Sequence, residues 1–234
     1  MEAINSCERA LQLLQTYFGY TSFRPAQEAP VESLLKNEDV VAIMPTGAGK
    51  SICFQIPALC KSGLTVVFSP LISLMKDQVD GLVDQNIPAA LINSTLTQTE
   101  FNRTMYEVRS GNIKLLYIAP ERLGSNFFCN VLRSMPISQV IVDEAHCISQ
   151  WGHDFRPSYR LIGDWLASLP KRPVVGAFTA TATKAVENDI KNLLGLNHAN
   201  VYVTGFDRPN LSFSVLRTPK RMDYVVDYVR RHSH

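Results

Sequence analysis

The sequence lacks any apolar run long enough to cross a membrane as a helix. Its longest apolar stretches have the length of a β-strand, whereas a transmembrane helix needs about 20 consecutive apolar residues. The N-terminus carries Glu2 and Glu8 and has no basic segment followed by an apolar one, which is the pattern of a signal peptide. We therefore expect no membrane span and no secretion.

Cysteines are few, scattered and odd in number. The sequence contains five of them, Cys7, Cys53, Cys60, Cys129 and Cys147, with no CxxC pair and no spacing typical of a metal site. This pattern predicts reduced thiols in an intracellular protein rather than a disulfide framework. It also argues against a structural metal site within the chain.

The sequence has little excess charge of either sign. Its 23 basic and 21 acidic residues leave a net charge of +2. Because the overall field is close to neutral, a nucleic acid would have to be recognised by a local arrangement of side chains. The length of 234 residues is sufficient for one large domain with a sizeable core, or for a domain plus a fragment.

Short β-branched runs alternate with amphipathic stretches along most of the chain. This alternation is typical of an α/β protein in which helices cover both faces of a mostly parallel sheet. The predicted strands are Val40–Ile43, Thr65–Phe68, Ala90–Ile92, Lys114–Ile118, Val140–Val142, Val174–Phe178 and Val201–Val203. The clearest predicted helices are Ser73–Asp84, Gln98–Arg109 and Lys184–Leu194. Gly195 is a plausible C-cap for the last of them.

The pattern changes after the last of these strands. Turn-forming residues are concentrated in GFDRPN (205–210), and LSFSVL (211–216) then alternates as a half-buried strand would. A helical stretch, Arg221–Arg231, follows. Because a lone strand and helix cannot bury a core, we expect residues 1–204 to form one domain. Residues 205–234 would be the truncated start of a second.

The segment VVAIMPTGAGKS predicts a phosphate-binding loop. An apolar strand precedes the loop and a helical stretch follows it, as in a P-loop. Glycines let the backbone turn its amides towards an anion, and the helix N-terminus adds partial positive charge. The predicted nucleotide-binding residues of this phosphate loop are Met44, Pro45, Thr46, Gly47, Ala48, Gly49, Lys50 and Ser51. Lys50 would reach the β- and γ-phosphates, and Ser51 would bind Mg²⁺. Met44 departs from the general P-loop pattern, which has glycine at this position. The alternative to a phosphate-binding loop is an inert glycine-rich turn between strand and helix.

A second apolar strand, in SQVIVDEAH, ends in the carboxylate pair Asp143 and Glu144. In P-loop ATPases an acidic residue at the end of such a strand holds the Mg²⁺ shell. Asp143 would take this role, and Glu144 would orient or deprotonate the attacking water. Together with Lys50, these two residues form the predicted catalytic set. Alone, the pair could equally be a solvated turn.

The motifs MPTGAGKS, DEAH and TATAT (179–183) together resemble superfamily 2 helicases, whose motor consists of two RecA-like lobes. Three further segments, FGYTSFRPAQ (18–27), SPLISLMKDQVD (69–80) and AHCISQWGHDFRPSY (145–159), are similar to those of the RecQ family. The match extends across essentially the whole chain. It implies a RecA-like three-layer α/β/α sandwich that is the first motor lobe of an ATP-driven DNA helicase. The resemblance also implies 3′–5′ unwinding, with roles in DNA repair and recombination.

Residues 18–27 resemble the adenine-recognition motif of that family. Gln27 offers both a donor and an acceptor to an adenine edge. Tyr20 and the Arg24 guanidinium could sandwich the base by stacking. In the alternative, Tyr20 and Phe23 pack the first helix onto the sheet. We favour packing for Phe23 and stacking for Tyr20.

Residues 145–159 form an aromatic-rich segment directly after the carboxylate pair. Its aromatic and basic side chains include Trp151, His153, Phe155, Arg156 and Tyr159. Aromatic faces beside a cation are typical of single-stranded DNA binding. The resemblance implies that Trp151, Phe155 and Arg156 sense DNA, and that His146 and His153 relay the signal to the ATP site. The alternative is an aromatic mini-core under a loop, which applies above all to Phe155.

Several polar residues follow predicted strand ends, on the edge where open α/β sheets bind ligands. They are Ser69, Ser73, Lys76, Asn93, Ser94 and Arg122. Side chains of these types can hold DNA phosphates without reading sequence, but each could equally be an N-cap or a turn residue. In the family, the segment containing Thr179 and Thr181 couples the two lobes; these hydroxyls could also cap the following helix.

The resemblance implies ATP and Mg²⁺ as cofactors, with single-stranded and partly duplex DNA and the missing C-terminal lobe as partners. It implies a location in the bacterial cytoplasm at the nucleoid, or in a eukaryotic nucleus. Two rival hypotheses remain. An RNA helicase of superfamily 2 should lack SQWGHDFRPSY. A nucleotide- and DNA-binding module with little activity is also possible for this chain alone, because the arginine finger of such motors comes from the second lobe.

Overall fold

The computed structural model describes residues 6–205, 212 and 214–232 of the chain. The helices are α1 (Ser6–Phe18), α2 (Pro25–Leu35), α3 (Lys50–Cys60), α4 (Ile72–Asp84), α5 (Gln98–Arg109), α6 (Asn126–Arg133), α7 (Arg160–Ala167), α8 (Lys184–Leu193) and α9 (Arg221–His232). The strands are β1 (Val40–Ile43), β2 (Leu64–Phe68), β3 (Ala89–Ile92), β4 (Leu115–Ile118), β5 (Ile137–Val142), β6 (Val174–Thr179) and β7 (Asn200–Val203). Short 3₁₀ turns occupy Pro120–Gly124, Ala145–Ile148 and Pro157–Tyr159.

The seven strands form one parallel sheet in the order β3-β4-β2-β5-β6-β1-β7. Every residue of β1, β2, β4 and β6 is buried, which explains why their sequences read as continuous apolar runs. In β1, Val41 lies opposite Ala177 of β6 and Val201 of β7. Because all strands run the same way, their carboxyl ends meet at one edge of the sheet, where the loops of interest emerge.

Helices cover both faces of the sheet, each through its own apolar core. On one face, Phe101 of α5, Phe128 of α6 and Trp165 of α7 pack in a single buried cluster. On the other face, Val31 of α2 and Phe54 of α3 pack in a second cluster, to which α4 also contributes. Helix α1 lies outside and packs on α3. The predicted three-layer α/β/α sandwich with a parallel sheet is confirmed.

All seven predicted strands are present, and the three predicted helices match α4, α5 and α8 to within one residue at each end. Gly195 has φ +65°, and the Leu196 amide donates to Lys191 O at 2.7 Å, which closes the predicted glycine cap. The sequence did not single out α6 and α7. Each has only eight residues, too few for a clear periodicity, and both are stabilised by packing on the sheet.

The end of the chain bears on the predicted second domain. The predicted turn at 205–210 and strand at 211–216 fall largely outside the described residues, and the described residues 214–216 are not in a strand. The predicted helix is present as α9, which has no buried residue. The boundary near residue 204 stays a prediction.

No helix within the described ranges is both long enough and apolar enough to span a membrane.

Gly163 provides a test of how α7 packs. A Cβ atom at Gly163 would clash with the Leu193 carbonyl oxygen at the end of α8. We expect Gly163→Ala to lower the free energy of unfolding by about 1–3 kcal/mol, because two packed helices must separate. Urea denaturation followed by circular dichroism measures this change.

The matched control is Gly81→Ala on the exposed side of α4, where an added Cβ meets nothing within 4 Å. It should raise the free energy of unfolding by about 0.5–1 kcal/mol through helix propensity. Equal effects of the two substitutions would contradict the packing described for α7.

Candidate functional site

The phosphate loop connects β1 to α3 and has the backbone of an anion cradle. Gly47 and Gly49 have φ values of +85° and +81°, a conformation that side chains with a Cβ rarely adopt. Within the described residues, the amides of Gly47 and Gly49 have no acceptor. The next two amides, of Lys50 and Ser51, are the free amides at the N-terminus of α3. Together these donors and the helix dipole favour a bound phosphate group.

Met44 departs from the general loop pattern without disturbing the cradle. Its side chain is fully buried in the core on the α3 side of the sheet, 3.9 Å from Cys53 Sγ. Only its backbone faces the loop, where Met44 O accepts from Lys50 Nζ at 3.3 Å. Ala48 N donates to Pro45 O at 3.1 Å and tightens the loop. Thr46 is exposed at its mouth.

A cavity of about 380 Å³ opens above this loop and brings three predicted groups together. Its lining includes the phosphate loop, the carboxylate pair and the predicted adenine-recognition residues Tyr20, Arg24 and Gln27. These groups come from distant parts of the chain. They meet because the loop after β1 and the strand end of β5 lie at the same edge of the sheet.

The predicted adenine-recognition residues contact the phosphate loop directly. Gln27 is buried; its Nε2 donates to Ala48 O at 3.3 Å and to Gly49 O at 3.1 Å, and its Oε1 accepts from Arg24 N at 2.9 Å. The Arg24 guanidinium donates to Gly47 O at 2.7 Å. Each polar atom of the Gln27 amide group therefore already has a partner in the absence of a base.

The two aromatic residues of this motif differ in exposure. Tyr20 is 51% exposed at the rim of the cavity, where its ring is free to stack. Phe23 is half-buried and packs against the small core between α1 and α3. Packing for Phe23 agrees with the expectation from the sequence.

Asp143 follows β5 directly and is held by backbone contacts. Its amide donates to Phe68 O at 2.9 Å, and its Oδ1 accepts from Glu144 N at 3.0 Å. Burial, reinforced by the neighbouring charge of Glu144, raises the pKa of Asp143 to about 6. The negative charge of ionised Asp143 is poorly stabilised in this buried position, and a cation in the cavity would stabilise it.

Glu144 sits at a sharp reversal of the chain, with φ +47° in the left-handed region. Burial raises its pKa, but a hydrogen bond from His146 and the charges of Lys50 and His146 outweigh that effect. The pKa of Glu144 therefore lies below its usual value, so this carboxylate is ionised at neutral pH. The pair thus combines one carboxylate that resists ionisation with one that favours it.

His146 connects Glu144 to the segment after β6. Its Nδ1 lies 3.2 Å from Glu144 Oε2 and 2.8 Å from Thr179 Oγ1. Because the ionised Glu144 carboxylate can only accept, Nδ1 carries a hydrogen, which it shares between Glu144 Oε2 and Thr179 Oγ1. The Thr179 hydroxyl in turn donates to Thr181 O at 3.2 Å. The His153 ring stacks on His146 with centroids 4.1 Å apart. One buried ring thus touches the carboxylate, the TATAT motif and the aromatic-rich segment.

The aromatic-rich segment divides into exposed and anchored side chains. Trp151 is 77% exposed. Phe155 is half-buried beneath the Arg160 guanidinium, 5.3 Å from its ring centroid. Arg156 donates to Pro70 O at 2.6 Å and pairs with Asp154 at 3.0 Å. The mini-core alternative therefore does not describe Trp151, whereas Phe155 and Arg156 are partly engaged within the protein.

Tyr159 has a role that sequence reasoning missed. It is fully buried, and its hydroxyl donates to Asp143 O at 2.9 Å. It thus ties the far end of the aromatic-rich segment to the carboxylate pair. No local signal could have identified this contact, because it joins residues sixteen positions apart through irregular backbone.

The predicted DNA-backbone residues differ in accessibility. Ser73 and Lys76 are exposed on α4. Ser69 and Asn93 are buried, and Asn93 Oδ1 accepts from Thr95 N and Oγ1 in a local turn. This contact supports the turn-residue alternative for Asn93.

Two further predicted contact residues, Arg122 and Thr179, are engaged within the protein. The Arg122 guanidinium lies over the rings of Phe101 and Phe128. Thr179 is buried beneath His146, whereas Thr181 is exposed. Thr183, rather than Thr179 or Thr181, is the N-cap of α8.

Comparisons with known proteins match both the sequence and the fold. The family model described as "DEAD/DEAH box helicase" matches residues 24–189. The chain is 47% identical over 227 residues to the ATP-dependent DNA helicase RecQ of Bacillus subtilis, covering 97% of this chain and 38% of that protein. It is 42% identical over 212 residues to the bifunctional 3'-5' exonuclease/ATP-dependent helicase WRN of Mus musculus, covering 89% and 15%. The chain thus spans less than half the length of these relatives.

Solved structures support the fold alone, because their identities are low. The Hef helicase domain of Pyrococcus furiosus has a TM-score of 0.63 at 19% identity, covering 80% of this chain and 39% of that one. The DUF1998 helicase MrfA bound to DNA has a TM-score of 0.67 at 16% identity, covering 87% and 30%. The RecA-like fold predicted from the sequence is confirmed.

The raised pKa of Asp143 predicts a pH-dependent stability. The pKa of the Asp143 carboxyl is 3.8 in its ordinary state and about 6 in the folded protein. Between these two pH values, this carboxyl binds a proton more tightly in the folded protein than in the unfolded chain. Stability contributed by this proton is present below pH 4 and is lost as pH rises through 6, by up to about 3 kcal/mol. Asp143→Asn should remove this loss, so the variant should be the more stable protein at pH 8. Urea denaturation from pH 4 to 8 measures the difference.

The control is Asp80→Asn on the exposed side of α4. It should leave the pH profile of the unfolding free energy parallel to that of the unmodified chain. If the profile of Asp143→Asn also runs parallel to that of the unmodified chain, Asp143 is not the group responsible for the pH dependence of stability.

Proposed function

The chain belongs to the DEAD/DEAH box helicase family, and from this premise we propose that it is the ATP-binding motor lobe of a RecQ-like DNA helicase. The observation that carries the proposal is one cavity lined by the phosphate loop, the carboxylate pair and the adenine-recognition residues. The aromatic-rich segment leaves the same strand end as the carboxylates. A site that joins nucleotide to a stacking surface in this way suits a motor driven by ATP.

Nucleotide binding is assigned to the phosphate loop. The backbone amides of Gly47, Gly49, Lys50 and Ser51 surround the phosphates, and the Lys50 side chain neutralises the β- and γ-phosphates. Tyr20 and Arg24 stack on adenine, and Gln27 reads its edge. This assignment is supported by the positive φ values of the loop glycines and by the exposure of Tyr20 at the rim of the cavity.

Mg²⁺ fits the residues beside this loop. Ser51 and Asp143 would hold the ion, and the raised pKa of buried Asp143 marks a carboxylate that a dication would stabilise. When bound, Mg²⁺–ATP supplies a phosphoryl group whose charge is neutralised for attack by water. Glu144 stays ionised and accepts the proton of that water, while His146 holds its carboxylate in place.

DNA is assigned to the aromatic-rich segment and the neighbouring strand-end loops. A base stacks on exposed Trp151, and Phe155 and Arg156 extend the surface. Backbone contacts are assigned to Ser73 and Lys76, with Ser69, Asn93 and Arg122 contributing only if the loops around them rearrange. His153 on His146 links this surface to Glu144.

A second lobe completes the proposed motor. We assign residues 1–204 to the first lobe and 205–234 to the start of the second, supported by an α9 that buries no residue. By itself, the chain would bind nucleotide weakly and hydrolyse it slowly, since the arginine finger would come from the second lobe. The complete protein would unwind DNA 3′ to 5′ in repair and recombination, in a bacterial cytoplasm or a nucleus.

Substitutions in the site separate binding from chemistry. In a protein extended through the second lobe, Lys50→Ala should abolish ATP binding and hydrolysis. Glu144→Gln should keep ATP affinity but slow hydrolysis by roughly 10²–10⁴-fold, because an amide of the same volume cannot accept a proton. Calorimetric titration and phosphate release measure the two effects. Normal hydrolysis by Glu144→Gln would refute the catalytic assignment.

The aromatic-rich segment provides the test for DNA sensing. In the extended protein, Trp151→Ala and Phe155→Ala should reduce the ratio of DNA-stimulated to basal ATPase by roughly 10-fold, because base stacking is lost. Arg156→Ala should also make the remaining DNA affinity less dependent on salt if this side chain meets a phosphate.

Thermal melts of the same variants test the mini-core alternative. Loss of packing would lower the melting temperature while leaving DNA stimulation intact in the folded protein. The matched control is Tyr106→Ala, which removes an exposed aromatic side chain on α5, away from the cavity. This substitution should change neither the melting temperature nor the ratio of DNA-stimulated to basal ATPase.

A further inference from the structure

The turn that carries Trp151 is held by Ser149, a residue of the aromatic-rich segment to which no role has been assigned above. Ser149 closes the 3₁₀ turn Ala145–Ile148 and is fully buried. Its hydroxyl donates to Asp189 Oδ2 at 2.6 Å and accepts from the backbone amide of Trp151 at 3.1 Å. A single hydroxyl thus joins the stacking residue to a carboxylate on α8.

We propose that Asp189 is a positioning residue that fixes the backbone at Trp151 through Ser149. The short 2.6 Å contact is a charge-assisted hydrogen bond, which is stronger than one between neutral groups. Because the Ser149 proton is directed at Asp189, the lone pairs of the hydroxyl face the Trp151 amide. The carboxylate therefore sets the orientation of the group that holds Trp151.

The rest of the turn is consistent with this role. Gly152 N donates to Ser149 O at 3.0 Å, and a Cβ at Gly152 would clash with His146 O. The backbone on both sides of Trp151 is therefore closely constrained, while the indole itself is 77% exposed. A fixed backbone beneath an exposed ring presents a preorganised surface for a base.

Helix α8 is a suitable anchor because it is connected both to the 3₁₀ turn before Trp151 and to the TATAT motif. Val186 and Ile190 pack in the same buried cluster as Cys147 and Ile148 of the 3₁₀ turn. The helix starts directly after the TATAT motif, whose Thr179 contacts His146. A shift of α8 would therefore move the Trp151 turn together with the TATAT motif.

The first experiment reads the backbone rather than the activity. In the 234-residue chain, ¹⁵N relaxation measures the order parameter of the Trp151 amide. We expect Asp189→Ala to raise the motional amplitude of this amide roughly threefold, from the level of rigid backbone to that of a flexible loop. Asp189→Asn, which keeps an acceptor for Ser149, should restore most of the rigidity. Asn188→Ala, on the exposed side of the same helix, is the matched control and should change nothing.

The second experiment connects this rigidity to the proposed function, on which the inference rests. In the extended protein, Asp189→Ala should raise the DNA concentration for half-maximal ATPase stimulation roughly 10-fold, and Asp189→Asn should raise it less. An unchanged Trp151 order parameter in a folded Asp189→Ala variant would overturn the inference. Normal DNA stimulation of the ATPase in Asp189→Ala, in an assay in which Trp151→Ala has lost stimulation, would also overturn it. If Trp151→Ala itself retains full stimulation, the proposed role of the aromatic-rich segment fails instead.

Discussion

The buried imidazole of His146 holds together the carboxylate pair, the aromatic-rich segment and the distant TATAT motif. It contacts the carboxylate of Glu144, the hydroxyl of Thr179 and the ring of His153. Hydrogen bonds in such a buried network reinforce one another, and an unpaired member would be costly. Glu144 therefore cannot reorient without disturbing the segments on both sides. This constraint makes the end of β5 a junction between the carboxylate pair, the aromatic-rich segment and the TATAT motif.

The two adjacent carboxylates behave differently, and His146 accounts for the Glu144 side of that difference. Asp143 is deeply buried beside a like charge, which raises its pKa, whereas Glu144 is paired with His146 and has a lowered pKa. Two neighbouring acids with opposite shifts are suited to different tasks. In the proposed function, Asp143 would hold Mg²⁺ and Glu144 would accept the proton of the attacking water. Tyr159 fixes the backbone between them through Asp143 O.

Local sequence signals were sufficient for the sheet and for the phosphate loop. Strands such as β2 read as continuous apolar runs because they are buried on both faces, and glycines between a strand and a helix predict the positive φ values of the loop. What the sequence could not predict depends on contacts between distant segments. The bond from Arg156 to Pro70 O is one example, and the burial of Ser69 and Asn93 is another. Short helices such as α6 were missed because packing, not periodicity, stabilises them.

The contacts of Gln27 bear on how long a nucleotide would stay bound. Its amide already bonds to Ala48 O, Gly49 O and Arg24 N, so adenine would exchange these partners rather than add new ones. An exchange of equivalent hydrogen bonds contributes little net affinity. A base with the wrong edge would not replace these partners and would gain nothing from Gln27. In the proposed site, Gln27 would therefore add little to binding strength, and the residence time of the nucleotide would depend on the contacts of its phosphates rather than on those of its base.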